Sequence, residues 1–372
     1  MDDDDDVSAG PDLAVLGWDA ELQAAFQPWA ESGHRAGRVV AVHGGTLVVA
    51  TESGDVAATV AGRLRHQADG LGELPAVGDW VCLRGGGDAE TGADGGASIA
   101  AVLPRRSVFS RQQAGRATGE QVVAANVDLV FLVTSLDGEL NPRGLERYLT
   151  LAWQSGATPV VVGNKADRSE WVEGDLAELA AVAPGAAVHA VSCLTGQGLD
   201  ELAPYLTPGR TVAMLGPSGV GKSTLINRLA GEELMATAAV RADGKGRHTT
   251  THRELLRLPG GAMVIDTPGM REMQLWAGGE GIEETFVEVD ELAAGCRFAD
   301  CRHDQEPGCA VLAAVADGRL PEERLASWHK LQRELRAAAI RQDRRAQAEQ
   351  RRQWRNRNKS MREYLKVKRD DW

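Results

Sequence analysis

A glycine-rich segment constrains the fold of this chain more than any other feature: Gly216-Pro217-Ser218-Gly219-Val220-Gly221-Lys222-Ser223. It follows a predicted buried strand, Thr211 to Leu215, and precedes a predicted helix, Thr224 to Leu229. This spacing between a strand and a helix is typical of a P-loop, whose backbone N–H groups close around phosphate oxygens at a helix N-terminus. The alternative is a glycine-rich turn without a ligand, which the strand and helix on either side disfavour.

The P-loop predicts roles for its individual residues. We expect Lys222 to reach the β- and γ-phosphates and to take part in catalysis, and the Ser223 hydroxyl to bind Mg²⁺. The other residues of the segment should contact the nucleotide, and they are Gly216, Pro217, Ser218, Gly219, Val220, Gly221 and Thr224.

A second motif indicates which base is bound. Asn164-Lys165-Ala166-Asp167 follows a predicted buried strand, Pro159 to Gly163. The Asp167 carboxylate can accept hydrogen bonds from guanine N1–H and from its amino group, a pair that adenine lacks. Sites that require such a group discriminate by about 10⁴-fold or more. Together with the P-loop, Asn164, Lys165 and Asp167 therefore predict GTP, and Ser192 and Cys193 fit a backbone turn that packs on the guanine.

Two further segments are predicted to sense the third phosphate. Asp266-Thr267-Pro268-Gly269 follows a predicted strand, so Asp266 should hold Mg²⁺ through water and the Gly269 N–H should meet the γ-phosphate. A polar loop, Gly246 to Thr251, contains three threonines, and a loop threonine that joins Mg²⁺ is a common switch device. We assign that role to Thr250.

The catalytic group is the least determined part of the site. Many GTPases orient the attacking water with a glutamine directly after the Asp-x-x-Gly motif, but Met270 occupies that position here. His248, in the threonine loop, is the candidate within the chain. A solvated loop histidine is the alternative, with the catalytic group then coming from a partner.

The order of these motifs is unusual. The guanine motifs at Asn164 and Ser192 precede the P-loop, which precedes the threonine loop and Asp266. A circular permutation keeps the same spatial set when the original termini lie close together. The sequence therefore predicts a circularly permuted, doubly wound α/β GTPase domain, which we place at residues 114–285.

Short strands dominate the segment before that domain. Five of them are predicted within residues 38–103, separated by turns and a glycine-rich loop at 85–96. This pattern predicts a small β-barrel over residues 36–113, with an oligonucleotide-binding (OB) type favoured and an SH3-like barrel as the alternative. Residues 1–35 form an acidic leader, expected to be partly disordered, with a short helix around Leu22 to Trp29.

A cysteine cluster indicates a metal site in the C-terminal region, residues 286–372. Cys296, Cys301, His303 and Cys309 offer three thiolates and an imidazole, a closed tetrahedral set typical of one structural Zn²⁺. Chance clustering of reduced thiols is the alternative. Cys82 and Cys193 stand apart from the cluster and read as ordinary buried thiols.

The charge is distributed unevenly. The net charge is −12, yet residues 330–369 hold 15 Lys+Arg against 4 Asp+Glu, which gives that segment +11. A basic helix on an acidic body favours RNA binding, with a solvated charged helix as the alternative. The chain shows neither a secretory leader nor a membrane-spanning run, so we expect a cytoplasmic monomer without membrane contact.

The chain resembles the ribosome small-subunit-dependent GTPase A family (RsgA, also called YjeQ or EngC) over about residues 37–335. The resemblance rests on the motifs above together with Val77-Gly78-Asp79-Trp80, Ala124 to Asp128 and Glu306 to Cys309. It implies an OB barrel, a permuted GTPase and a zinc domain. It also implies late maturation of the small ribosomal subunit, contact with its rRNA, and GTP hydrolysis stimulated by that subunit. An RNA-binding assembly module in which GTP is mainly structural remains the alternative, because Met270 permits it.

Overall fold

The computed structural model describes residues 12–43, 45–68, 70–85, 96–112, 120–234, 253–266 and 280–340. The chain divides into two compact units, Met1–Gln274 and Leu275–Trp372. Within the described residues, no helix is both long enough and apolar enough to cross a bilayer.

The described chain begins with a helix on the barrel side of the first unit. A short 3-10 helix, Leu13–Leu16, leads into α1 (Ala20–Ala30). The Asp19 carboxylate caps α1 by accepting hydrogen bonds from the Glu21 and Leu22 N–H groups. Leu22 and Phe26 are buried, which agrees with the amphipathic helix predicted for this stretch.

Five strands then form a closed barrel. They are β1 (Arg35–His43), β2 (Thr46–Thr51), β3 (Gly54–Val60), β4 (Trp80–Arg84) and β5 (Ala97–Val102), with a helix α2 (Gly62–Gln67) after β3. The order is β1-β2-β3-β5-β4, and β4 pairs back with β1. Only the β3–β5 pairing is parallel among these strands. The predicted OB-type barrel is confirmed, and Val39, Val49 and Ile99 lie fully buried at its centre.

A two-stranded antiparallel ribbon joins the barrel to the α/β part of the unit. Its strands are β6 (Val108–Gln112) and β7 (Glu120–Ala125). The α/β part contains β8 (Leu129–Ser135), α3 (Pro142–Ser155), β9 (Thr158–Asn164), α4 (Val172–Val182), β10 (Ala187–Ala190), β11 (Thr211–Leu215), α5 (Lys222–Ala230), β12 (Arg253–Arg257) and β13 (Met263–Asp266).

The sheet order shows the permutation directly. The strands lie in the order β10-β9-β8-β11-β13-β12, and all pairings are parallel except β12 with β13. The P-loop strand β11 is therefore central in the sheet, although three of the parallel strands precede it in the chain. The predicted circularly permuted α/β fold is confirmed.

One arginine lies at the junction between the barrel and the α/β sheet. Arg38 is 2% exposed, and it donates hydrogen bonds to the carbonyl oxygens of Gly78, Asn126 and Leu16. Burial lowers the pKa of its guanidinium to about 10, so the group stays charged at neutral pH. Because β1 also pairs with β12, the barrel and the α/β sheet are hydrogen-bonded to one another.

Two of the segments that carried the family resemblance, Val77 to Trp80 and Ala124 to Asp128, meet at this junction. The Ala125 N–H donates to the Val77 carbonyl at 3.0 Å. Gly78 has φ +90°, and a Cβ there would lie 2.1 Å from the Ala125 carbonyl oxygen, so only glycine fits. The buried Asp79 carboxylate accepts two hydrogen bonds from Arg105, each at 2.7 Å.

The described residues of the second unit form helices on either side of a loop, residues 294–309. Its helices are α6 (Glu280–Thr285), α7 (Val287–Ala293), α8 (Ala310–Ala316) and α9 over residues 322–340. Arg324 packs over the Phe286 ring, 4.3 Å from its centroid, and bonds to Glu288. The described start of the predicted basic segment, from Lys330 to residue 340, is helical, and residues 341–372 lie outside the described residues.

Candidate functional site

The predicted nucleotide-binding segments follow strands that end at one edge of the parallel sheet. The P-loop follows β11, the Asn164 motif ends β9, and the Ser192 turn follows β10. In open α/β sheets, ligands bind outside the carboxyl ends of the strands. The structure therefore brings the three segments together at the sheet edge where α/β folds bind their ligands.

Two P-loop glycines are required by their surroundings. Gly216 has φ +142°, and a Cβ there would lie 2.1 Å from the Val133 carbonyl oxygen. Gly221 has φ +99°, and a Cβ there would lie 2.2 Å from Nδ2 of Asn164. Any other residue at these positions would push the loop away from the adjacent strands.

Lys222 opens helix α5 and is only 8% exposed. Its Nζ donates hydrogen bonds to the carbonyl oxygens of Gly216, at 2.8 Å, and Pro217. The loop thus holds a buried positive charge beside its own backbone. Pro217, Ser218 and Gly219 are exposed at the tip of the loop.

Asn164 joins the P-loop to the turn after β10. The side chain is 2% exposed. Its Nδ2 donates to the Val220 carbonyl at 2.8 Å, and its Oδ1 accepts from the Cys193 N–H at 3.2 Å. A single amide therefore fixes the distance between the P-loop and the turn after β10.

The Asp167 carboxylate lies against the same turn. The buried Ser192 hydroxyl donates a hydrogen bond to its Oδ1. Lys165, in a left-handed conformation at φ +65°, forms an ion pair with Asp137 at 2.8 Å. That hydrogen bond from Lys165 holds the pKa of the Asp137 carboxyl below its usual range. The arrangement offers a hydrogen-bond-accepting carboxylate beside a backbone turn.

The remaining predicted nucleotide residues are only partly described. Asp266 ends β13, and Ile265 directly before it pairs with Ala213 of the P-loop strand, so the Asp266 backbone lies at the same sheet edge. His248, Thr250 and Gly269 lie outside the described residues.

The isolated cysteines behave as expected. Cys82 and Cys193 are both buried and free. Burial raises the pKa of the Cys82 thiol to about 12 and that of Cys193 to about 11, so both remain protonated at neutral pH.

The second unit brings the four predicted metal ligands together. The ligand atoms of Cys296, Cys301, His303 and Cys309 all lie within 4.8 Å of one another. The Cys296 and Cys309 sulfurs are 3.8 Å apart, and His303 Nδ1 lies 3.7 and 3.4 Å from them. Tetrahedral Zn²⁺ with ordinary bond lengths separates two sulfurs by roughly 3.8 Å and a sulfur from a nitrogen by roughly 3.5 Å. The cluster is compatible with one zinc ion.

Neighbouring groups fix the shape of this cluster. The Glu306 carboxylate accepts hydrogen bonds from the Arg302, Asp304 and Gln305 N–H groups. These bonds, the one from Arg302 first, lower the pKa of Glu306 to about 2. His329 Nε2 donates to the His303 carbonyl at 3.2 Å. The ligand-bearing loop is therefore held by charges and hydrogen bonds outside the ligand set.

The structure also shows polar residues near the nucleotide site that the sequence did not indicate. Arg228 donates to the turn after Ser192, and Asp137 pairs with Lys165. Charged residues in a helix or a loop usually face solvent, so their local sequence gave no sign of these contacts.

Comparisons with known proteins agree with this architecture. The family model described as RsgA GTPase matches residues 102–276. A second model, described as 50S ribosome-binding GTPase, matches residues 211–345 and so begins at the P-loop strand.

Individual relatives cover most of the chain. A protein of Opitutus terrae called small ribosomal subunit biogenesis GTPase RsgA is 51% identical over 341 residues, covering 89% of this chain and 92% of that protein. One of the same name from Streptomyces avermitilis is 43% identical over 369 residues, covering 98% of this chain and 97% of the relative.

Solved structures show the same fold. The crystal structure of YjeQ from Thermotoga maritima matches with a TM-score of 0.60 and 30% identity, covering 81% of this chain and 98% of that one. YloQ, described as a circularly permuted GTPase, matches with a TM-score of 0.56 at 23% identity, covering 82% of this chain and 96% of YloQ, and supports the fold alone. The 51% and 43% identity to the Opitutus terrae and Streptomyces avermitilis proteins extends over nearly the whole chain. Together with the permuted sheet and its P-loop, this identity shows that the chain belongs to the RsgA GTPase family.

Proposed function

We propose that this GTPase binds GTP at the sheet edge described above and uses its hydrolysis to GDP and phosphate in late maturation of the small ribosomal subunit. The observation that carries the nucleotide assignment is that the Asn164 amide donates to the P-loop and accepts from the turn beside Asp167, which ties the two segments together. Membership in the family supports the reaction, and the names of the relatives support the subunit.

The phosphates and the base are bound by different segments. The backbone of the P-loop cradles the phosphates, with Lys222 on the β- and γ-phosphates. Asp167 accepts from the guanine edge, while Lys165 and the Ser192–Cys193 turn pack around the base. The remaining contacts come from Gly216, Pro217, Ser218, Gly219, Val220, Gly221 and Thr224.

Magnesium completes the phosphate site in this proposal. Ser223 and Thr250 would bind the ion directly and Asp266 would hold it through water, and the ion would neutralise charge on the phosphates. Gly269 senses the γ-phosphate, and His248 positions the attacking water. These assignments rest on the sequence pattern, since His248, Thr250 and Gly269 lie outside the described residues.

Zinc has a structural role in this proposal. One Zn²⁺ bound by Cys296, Cys301, His303 and Cys309 leaves no open position for water, which is the mark of a structural site. The metal would therefore stabilise the second unit without taking part in hydrolysis.

The proposed partner is the small ribosomal subunit with its rRNA. In this proposal the chain is a monomer and binds the subunit in the cytoplasm. The OB-type barrel, the zinc unit and the basic C-terminal segment are the surfaces suited to RNA. The +11 charge of residues 330–369 would make phosphate contacts whose strength falls as salt rises.

Asp167→Asn tests the base assignment. We expect its affinity for GDP to fall by about 10²-fold or more while its affinity for xanthosine diphosphate rises, because an asparagine amide can donate to the xanthine oxygen that replaces the guanine amino group. Calorimetric titration of both nucleotides measures this. Asp200→Asn, which changes an exposed carboxylate in the same domain, is the control. An unchanged preference for guanine in Asp167→Asn would show that another group recognises the base.

A further inference from the structure

Arg228 connects the P-loop helix to the turn after β10. It lies in the last turn of α5, the helix that Lys222 begins. Its Nε donates to the Cys193 carbonyl oxygen at 2.6 Å, and its Nη2 donates to the Leu194 carbonyl oxygen at 2.9 Å. A planar guanidinium making two directed bonds holds its acceptors in a fixed orientation.

The backbone N–H groups of the turn are almost all satisfied within the protein. The N–H groups of residues 192 and 196 donate to backbone carbonyl oxygens, those of Gln197 and Ser192 respectively. The N–H groups of residues 193, 195 and 197 donate to side-chain oxygens, which are Asn164 Oδ1, Ser192 Oγ and Thr195 Oγ1 respectively. The exception is the Leu194 N–H, which has no acceptor in the described part of the chain. The turn therefore presents one donor that is available to a ligand.

That donor belongs to the peptide group that Arg228 holds. The Leu194 N–H and the Cys193 carbonyl are the two ends of one peptide plane. A charged donor on the carbonyl polarises the plane, and hydrogen bonds in a chain strengthen one another. Arg228 thus both orients the Leu194 N–H and makes it a stronger donor.

The neighbouring Asp167 indicates which chemical group this donor meets. Ser192, two residues before Leu194, donates to Asp167, so a carboxylate acceptor and a backbone donor lie in the same small region. Guanine offers donors at N1 and at its amino group, next to an acceptor at O6. Adenine carries an amine donor at that position, which an N–H group would repel.

We infer that Arg228 is a positioning residue for base specificity, which holds the Cys193–Leu194 peptide so that the Leu194 N–H donates to O6 of guanine. The inference rests on the proposed function and deepens it. It differs from a purely structural role, in which Arg228 would tie α5 to the turn and affect all nucleotides equally.

The test measures how Arg228→Ala changes the affinity for three nucleotides, using calorimetry on the full chain. The probes are GDP, 6-thio-GDP, in which a weaker sulfur acceptor replaces O6, and IDP, which keeps O6 but lacks the amino group. Arg228→Lys keeps the positive charge but lacks the planar guanidinium that makes the two hydrogen bonds. Arg143→Ala, which removes an exposed arginine on α3, is the control.

We expect Arg228→Ala to weaken binding of GDP and IDP by about tenfold, the size of one charge-assisted hydrogen bond, and that of 6-thio-GDP by a clearly smaller factor. The preference for oxygen over sulfur at position 6 should therefore shrink. Arg228→Lys should give intermediate values, and Arg143→Ala should match the wild type.

Two other results would overturn parts of the account separately. Equal weakening of GDP and 6-thio-GDP, or no weakening of GDP, would overturn the assignment of Arg228 and leave GTP binding in place. A wild-type protein that does not prefer GDP over ADP would overturn the proposed base site itself, and the role of Arg228 with it.

Discussion

Replacing Lys222 with alanine should lower the rate of GTP hydrolysis by about 10³-fold. The Lys222 ammonium is buried against the loop backbone, where it donates hydrogen bonds to the carbonyl oxygens of Gly216 and Pro217. A positive charge in such a protected place stabilises the charge that develops as the γ-phosphate leaves. Removing one preorganised electrostatic group of this kind commonly costs about 10²–10³ in rate.

The measurement is single-turnover hydrolysis of GTP, with thermal unfolding recorded for each variant. Lys330→Ala, which removes an exposed lysine on α9, should hydrolyse GTP at the wild-type rate. Wild-type turnover by a folded Lys222→Ala protein would contradict the P-loop assignment. A Lys222→Ala protein that has lost hydrolysis but still promotes subunit maturation normally would favour an assembly module in which GTP is mainly structural.

Replacing Cys309 with serine should remove the bound zinc and unfold the second unit. Structural Zn²⁺ contributes about 10–16 kcal/mol of apparent binding energy in small zinc domains, which is comparable to the whole stability of an ordinary domain. Cys309 also caps helix α8, where its sulfur accepts a hydrogen bond from the Leu312 N–H at 3.4 Å. Serine is a strong N-cap residue and can accept the same hydrogen bond, so the expected loss comes from the missing metal ligand rather than from the cap.

Zinc content by elemental analysis and limited proteolysis of residues 280–340 measure this effect. We expect one zinc per wild-type chain, and cleavage in this region only in Cys309→Ser. Cys82→Ala, a buried cysteine of the barrel, should keep its zinc. Full zinc occupancy and wild-type resistance in Cys309→Ser would contradict the proposed ligand set.

The features that could be predicted from the sequence are those encoded by neighbouring residues. The P-loop is read from glycine spacing between a strand and a helix, and the barrel from short alternating strands. The metal cluster follows from ligand spacing within fourteen residues, Cys296 to Cys309. Each of these features depends on the geometry of residues close together in the chain, so each can be recognised without knowledge of the fold.

The features that could not be predicted depend on residues far apart in the chain. In the sequence, Arg38 is a single charged residue within a strand, for which exposure to solvent is expected. In the structure it is buried and donates hydrogen bonds to carbonyl oxygens of three other segments. Arg228 reads as an ordinary basic residue in the last turn of a helix, but it contacts a turn 35 residues earlier. Tertiary contacts decide both cases, and nothing in the adjacent sequence reports them.

Hydrolysis of GTP by the full chain, alone and with purified small ribosomal subunits at two salt concentrations, tests the central claim most directly. We predict slow turnover alone and strong stimulation by the subunits, which weakens as salt rises because the contacts involve phosphates. Catalytic groups supplied by a partner can be worth about 10³–10⁵ in rate. Equal turnover with and without subunits at both salt concentrations would contradict a GTPase activated by the small subunit.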